Sequence, residues 1–204
     1  MSDNALTYWD TVYATRAIDS VGWFQPSPDT SLRLVTAYGQ PSSSVIDVGA
    51  GASSLADELL DRGWRDVTAL DVSAEALAIV RKRLDGHSGS VSFVVADLVS
   101  WQPHLQYDLW HDRAVFHFLV DPADRQRYVD TSACAVKPGG VLVLGTFADD
   151  GPTQCSGLPT QRYDANSLAE RFDAAFDLVH SERYEHVTPG GVVQPFTWVV
   201  LRRR

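Results

Sequence analysis

The chain has 204 residues, 45% hydrophobic and 21% charged. That is the length of about one domain and the composition of a core-forming chain, which excludes intrinsic disorder, collagen-like repeats and coiled coil. Lys and Arg number 17 against 26 Asp and Glu, a net charge of −9, and no segment before Arg202, Arg203 and Arg204 concentrates positive charge. A nucleic-acid partner is therefore not expected. Cys134 and Cys155 lack CxxC spacing and the six histidines form no ligand pattern, so neither a disulfide scaffold nor a metal site is expected. The opening residues lack a basic region followed by an apolar run, and no apolar run approaches the ~18 residues of a membrane span. These features predict a cytoplasmic protein with no membrane partner, as a monomer or homodimer.

Residues 1–40 read as an N-terminal extension capping residues 41–204, which form one compact domain. The extension holds an amphipathic segment at 6–18 and then a loop beginning Val21-Gly-Trp-Phe-Gln-Pro, so that Trp9, Trp23 and Phe24 cluster near Arg16. From Ser44 onward, short β-branched runs alternate with segments of helical period, the pattern of parallel strands joined by crossover helices. Strands are predicted at 45–48, 67–70, 91–95, 105–111 and 141–147. Helices are predicted at 53–62, at 74–84 with Ser73 as N-cap, at 122–136 with Asp121 as N-cap and Pro122 at the first position, and one opened by Asn166 or Asp164 that runs to about Phe172. The break at Pro138-Gly139-Gly140 separates the third of these from the fifth strand. Two closing runs, 176–187 and 192–201, flank Thr188-Pro189-Gly190-Gly191, a turn that joins antiparallel neighbours.

The most informative segment is the end of the first strand, Val45-Ile-Asp-Val-Gly-Ala-Gly-Ala-Ser-Ser-Leu. Gly49 and Gly51 permit a sharp turn and close approach to a ligand, with Ala50 between them and a helix N-terminus following. A dinucleotide fingerprint needs a third glycine at 54, where the chain has Ser54, so a pyrophosphate cofactor is disfavoured. Asp47, Asp71 and Asp97 each fall near the carboxyl end of a strand, the edge at which such sheets bind ligands. A carboxylate at Asp71 can accept from both hydroxyls of a ribose, and one at Asp97 can accept from an exocyclic adenine amine. Capping a helix or loop is the alternative role for each acid.

This constellation resembles the class I S-adenosylmethionine-dependent methyltransferases from about Val45 to the C-terminus. The family's acid followed by GxGxG appears as Asp47-Val-Gly49-Ala-Gly51-Ala-Ser53, departing only at the last glycine. The resemblance implies an α/β, Rossmann-like three-layer sandwich whose seven-stranded, mostly parallel sheet ends in an antiparallel hairpin. It also implies S-adenosyl-L-methionine as cofactor, with ribose on Asp71, the adenine amine on Asp97, and Val72 and Leu98 on either side of the adenine ring. The opening Thr7-Tyr-Trp-Asp-Thr-Val-Tyr-Ala-Thr-Arg, followed by Gly22-Trp-Phe, is similar to a subset of small methyltransferases that includes eukaryotic protein-lysine methyltransferases. It implies that Arg16 meets the cofactor's methionine carboxylate and that Trp9 and Trp23 close over the sulfonium, since an aromatic face attracts a cation.

After the fourth strand the sequence reads Tyr107-Asp-Leu-Trp-His-Asp-Arg-Ala-Val-Phe-His-Phe. The Asn/Asp-Pro-Pro-aromatic run of base amine methyltransferases is absent. His111 and Asp112 are candidate catalytic groups, because an imidazole accepts a proton near neutral pH. His111 can equally shape the cofactor pocket, and Phe24, His117, Cys155 and Tyr163 are candidates for acceptor contact. The expected activity is methyl transfer to O, N or S of a small molecule. A protein lysine is the alternative acceptor, and a nicotinamide-dependent oxidoreductase or a non-catalytic nucleotide-binding domain are the competing classes.

Overall fold

The computed structural model describes residues 3–86 and 91–204. Helix α1 (Asp3–Thr15) and a one-turn helix (Ile18–Ser20) lead into α2 (Asp29–Tyr38). Then β1 (Val45–Val48), α3 (Leu55–Asp61), β2 (Val67–Asp71), α4 (Ala74–Arg83), β3 (Val91–Val95) and β4 (Tyr107–Arg113) follow in turn. The second half comprises α5 (Pro122–Ala135), β5 (Val136–Phe147), the two-residue strands β6 (Gln154–Cys155) and β7 (Leu158–Pro159), α6 (Ala165–Ala169), β8 (Phe176–Val187) and β9 (Val193–Arg203).

Seven strands form one sheet in the order β3-β2-β1-β4-β5-β9-β8, parallel from β3 to β5 and antiparallel for β9 and β8. Because consecutive side chains on a strand point to opposite faces, each central strand serves two cores. On one face Val45, Leu109, Val143 and Trp198 pack with Leu34 of α2, Leu59 of α3 and Leu77 of α4. On the other, Ile46, Trp110, Leu142 and Val199 pack with Tyr128 of α5 and Leu168 of α6. The three-layer sandwich and closing hairpin are those expected from the sequence.

The capping residues act as their positions predict. Ser73 accepts from the N–H of Ala76 at 3.1 Å, Asp121 from Ala123 at 2.7 Å, and Asp164 from Asn166 and Ser167 at 2.8 and 2.9 Å. Helix α2 lies in what reads as a loop-rich extension. Leu32, Leu34 and Val35 bury one side of it in the first core, behind Pro28 at the N-cap and Asp29 in the first turn. The fourth strand begins at Tyr107 rather than at 105, where Leu105 is exposed. Strand β5 already begins at Val136. The expected break is a register irregularity within the strand, with Gly139 at a φ of +79°.

Strand β1 is flanked by β2 on one side and β4 on the other, so the chain leaves it in one direction and returns in the other. The crevice at the carboxyl ends of β1 and β4 is the ligand-binding position of open α/β sheets.

Candidate active site

A cavity of about 340 Å³ opens at that crevice. Its floor is the β1–α3 turn, where Gly49 and Gly51 hold φ values of +62° and +54°. A Cβ on Gly49 would stand 1.9 Å from Val115 Cγ2, and one on Gly51 would stand 2.4 Å from Tyr13 Oη. Both glycines are therefore required twice, for a left-handed backbone and for close approach. Ala50, Val72 and Leu98 line the same cavity, and Ala96 and Leu70 complete its apolar wall.

Asp71 ends β2 with its carboxylate in the cavity wall, accepting from the N–H of Gly51 at 2.7 Å and of Ser73 at 2.8 Å. Burial pushes its carboxyl up to about 6 despite these two donors, and the nearby Asp47 and Asp10 carboxylates add to the rise. Asp10 reaches across from α1 to accept from Ser73 Oγ at 2.6 Å, anchoring the N-terminal helix on the start of α4.

Asp47 and His111 are register partners on β1 and β4, both buried and both facing the cavity. His111 Nδ1 lies 2.7 Å from Asp47 Oδ1, and His111 Nε2 has no protein partner. With the carboxylate accepting, the neutral ring carries its proton on Nδ1 and presents a lone pair at Nε2. The ring is backed by Trp198 at 6.0 Å and 29°. That indole fits because position 145 is glycine, where a Cβ would stand 2.7 Å from Trp198 Cε2.

The roof comes from the N-terminal segment. Trp9 packs edge-on against Trp23 and Phe118, each at 5.5 Å, and Tyr13 against Trp23 at 6.3 Å. Trp9, Tyr13, Trp23, Phe24 and Phe118 all line the cavity. Tyr13 is one helical turn beyond Trp9, a spacing that places both on one side of α1 and could have singled it out.

Several candidate residues lie elsewhere. Arg16, just past the end of α1, is exposed and borders a separate shallow groove with Thr7, Tyr8, Thr11, Val12 and Thr15, so it does not reach the cavity. Asp112 faces the opposite side of the sheet from His111, as its neighbour on a strand must. Its carboxylate accepts from the N–H groups of Val115 and Phe116 at 2.9 and 3.1 Å and from Tyr128 Oη at 2.6 Å. Burial pushes its carboxyl up to about 6. It is a structural buttress rather than a partner of His111 in catalysis.

His117 is fully buried between Phe118 and Phe147, with ring centroids 4.5 Å away on each side. Its Nδ1 accepts from the N–H of Phe147 at 3.3 Å, and burial beside Arg113 lowers its pKa to about 3. The ring is thus a neutral core group, not an acceptor contact. Tyr163 packs on the far face against Phe116, its ring 5.6 Å away, and does not border the cavity. Cys155 is half-buried on β6, outside the lining, and burial pushes its thiol up to about 11. Asp97 stands between the lining residues Ala96 and Leu98, and its Oδ1 accepts from the N–H of Val99 at 3.1 Å, the capping role.

Arg113 was not among the sequence candidates. It follows His111 by two residues on β4, and the period of a strand puts both on one face. It lines the cavity, with Nη1 donating to the carbonyl of Trp23 at 2.9 Å.

Residues 45–140 match the methyltransferase domain family, from the start of β1 to Gly140 in β5, so this segment is a methyltransferase domain. Over 100 residues the chain is 37% identical to trans-aconitate 2-methyltransferase of Rhizobium leguminosarum bv. trifolii, a match covering 48% of this chain and 36% of that protein. It is 24% identical over 201 residues to EEF1A lysine methyltransferase 2 of Danio rerio, covering 91% of this chain and 80% of the relative. Among solved structures, the N-methyltransferase NodS from Bradyrhizobium japonicum WM9, in complex with S-adenosyl-L-homocysteine, superposes with a TM-score of 0.76 at 18% identity. That match covers 98% of this chain and 99% of NodS. The sheet order and its closing antiparallel pair are those of the S-adenosylmethionine-dependent methyltransferase fold. Among the described residues no helix is long and apolar enough to cross a membrane.

Proposed function

We propose that the protein transfers a methyl group from S-adenosylmethionine to an O, N or S atom of a small molecule held under the N-terminal roof. The observation that carries this reading is that one cavity is lined by the Gly49–Gly51 turn, Asp71 and His111, whose Nε2 has no protein partner. The residues fit the cofactor. Val72 and Leu98 offer apolar surfaces for a purine, Asp71 offers carboxylate oxygens for two ribose hydroxyls, and Asp97 stands beside Leu98 for the adenine amine. Trp9 and Trp23 line the cavity together with Gly49, Ala50 and Gly51 and would supply aromatic rings for the sulfonium.

The cofactor supplies a methyl group on a positively charged sulfur, whose departure neutralises that charge. The protein's part is to hold the acceptor in line with the methyl carbon and to exclude water. His111 Nε2 takes the proton of an acceptor O–H, N–H or S–H, while Asp47 fixes the tautomer and stabilises the ring once it is charged. Phe24 lines the acceptor end.

The 201-residue match to a lysine methyltransferase favours protein lysine as the second acceptor class. Calorimetric titration with S-adenosylhomocysteine, followed by labelled methyl transfer to fractionated small molecules and to proteins of a cell extract, tests both. Label only in protein would overturn the small-molecule reading. Tight NAD binding with no response to S-adenosylhomocysteine would overturn methyl transfer itself.

A further inference from the structure

Arg113 places a guanidinium in the cavity wall with part of its hydrogen-bonding capacity unused. Nη1 donates to the Trp23 carbonyl at 2.9 Å and the cation lies over the Phe196 ring, 5.4 Å from its centroid. Nη2 is shielded from solvent and has no partner. Among the described residues no carboxylate lies within ion-pair distance of this cation, although the protein carries an excess of acids. Burial lowers its pKa to about 10, so the group stays charged at neutral pH. A buried, incompletely paired cation is costly unless an anion meets it. The other guanidinium in the lining, Arg83, is fully engaged with Asp57 and the carbonyls of Ala52 and Ser53.

Position separates Arg113 from the cofactor half of the cavity. Asp71, Val72 and Leu98 stand at the ends of β2 and β3, on one side of β1. Arg113 ends β4, on the other side, and its register line runs through Gly145 of β5 to Trp198 of β9. His111 stands on the same strand as Arg113, two residues before it. We propose that the acceptor carries a carboxylate and that Arg113 binds it, an assignment that rests on the methyl-transfer reading.

The monoanion is favoured over a phosphate, because the same wall carries Asp47 and Asp71 and only one terminal nitrogen of Arg113 is unengaged. Trp23 and Phe24 in the lining suit an acceptor with an apolar body. A free guanidinium at this position opposes an approaching ammonium group, which sets a lysine acceptor at a disadvantage.

The test compares benzoate with its neutral isostere benzamide by calorimetry on the full chain saturated with S-adenosylhomocysteine. Benzoate should bind at least about tenfold more tightly than benzamide. The preference should collapse in Arg113→Gln, be partly kept in Arg113→Lys, and leave S-adenosylhomocysteine affinity within about threefold. Equal affinity of the two probes for the unmodified protein, or no benzoate binding, overturns the proposal without reliance on any variant. If Arg113→Gln weakens S-adenosylhomocysteine about tenfold but leaves 5′-methylthioadenosine unchanged, the carboxylate belongs to the cofactor and the assignment to the acceptor is wrong. Failure of the unmodified protein to bind S-adenosylhomocysteine counts against methyl transfer, while the two probes measured without it still decide the role of Arg113.

Discussion

Asp47 and His111 meet across the seam between β1 and β4, Oδ1 to Nδ1 at 2.7 Å, and the second imidazole nitrogen is buried without a protein partner. The pair joins the glycine-turn strand to the strand that carries Arg113. Its placement follows from register, since the two residues are direct neighbours in the parallel ladder. His111→Gln should lower kcat of methyl transfer by about 10²-fold or more. S-adenosylhomocysteine affinity should change by less than about threefold, a split that a merely structural role would not give. Steady-state kinetics beside calorimetry check it.

On the proposed reading, Asp71 should govern cofactor affinity and its pH dependence. Asp71→Ala should cost about 1.5 to 3 kcal/mol of binding, through loss of charge-assisted bonds to two hydroxyls. Its carboxyl is pushed up to about 6 in the free protein, and the charged form is the better acceptor. S-adenosylhomocysteine should therefore bind more weakly as pH falls through about 6, with proton release on binding near that pH. Titration in two buffers of different ionisation enthalpy measures the released proton, and a flat profile from pH 5 to 7.5 would contradict the assignment.

Asp112 should behave as a stability residue. Asp112→Asn replaces one of the two accepting oxygens by an NH2 group, so it leaves either the Val115 N–H or the Phe116 N–H without its acceptor, at about 1 to 3 kcal/mol for a buried donor left unpaired. Because its folded carboxyl titrates near 6, above the ordinary carboxyl value of about 4, the folded protein holds a proton that the unfolded chain has released between those values. That contribution to stability is fully present below pH 4 and is lost as pH rises through about 6. The advantage of the native residue over Asn, read from denaturant unfolding, should accordingly be larger at pH 4.5 than at pH 7.

Gly49 tolerates no side chain. Gly49→Ala combines a φ of +62° with a Cβ 1.9 Å from Val115. It should reduce cofactor affinity by at least about tenfold and lower the melting temperature, whereas Gly86→Ala, at a surface turn with nothing within 4 Å, should affect only stability. Thermal unfolding with and without S-adenosylhomocysteine separates the two effects.

The roof is latched at its far end. Tyr8 donates through its hydroxyl to the carbonyl of Ser156 and lies 2.9 Å from Ser156 Oγ, tying α1 to the turn between β6 and β7. Tyr8→Phe should speed hydrogen exchange of amides 9–24 in the free protein, and cofactor should restore part of the protection. Exchange across 9–24 that is identical with and without cofactor would reduce the segment to packing.

Periodicity and punctuation made most of the fold legible in the sequence. The β-branched runs, Ser73, Asp121-Pro122 and Asp164 mark strands and helix starts through interactions spanning a few residues, and those interactions are local enough to read from spacing. The turn at Gly49 and Gly51, both at positive φ, was legible for the same reason. What the sequence could not decide is which side chains share a face and a cavity. Asp112 and His111 are adjacent in the chain yet lie on opposite faces of the sheet, while Arg113 joins His111 only because β4 is extended through both. Tyr163 is carried to the far face by the return toward α6, and Arg16 is exposed just past the end of α1. The Asp47–His111 contact exists only because β1 pairs with β4, 64 residues on, and that pairing is set by burial of both sheet faces, a property of the assembled layers rather than of any segment.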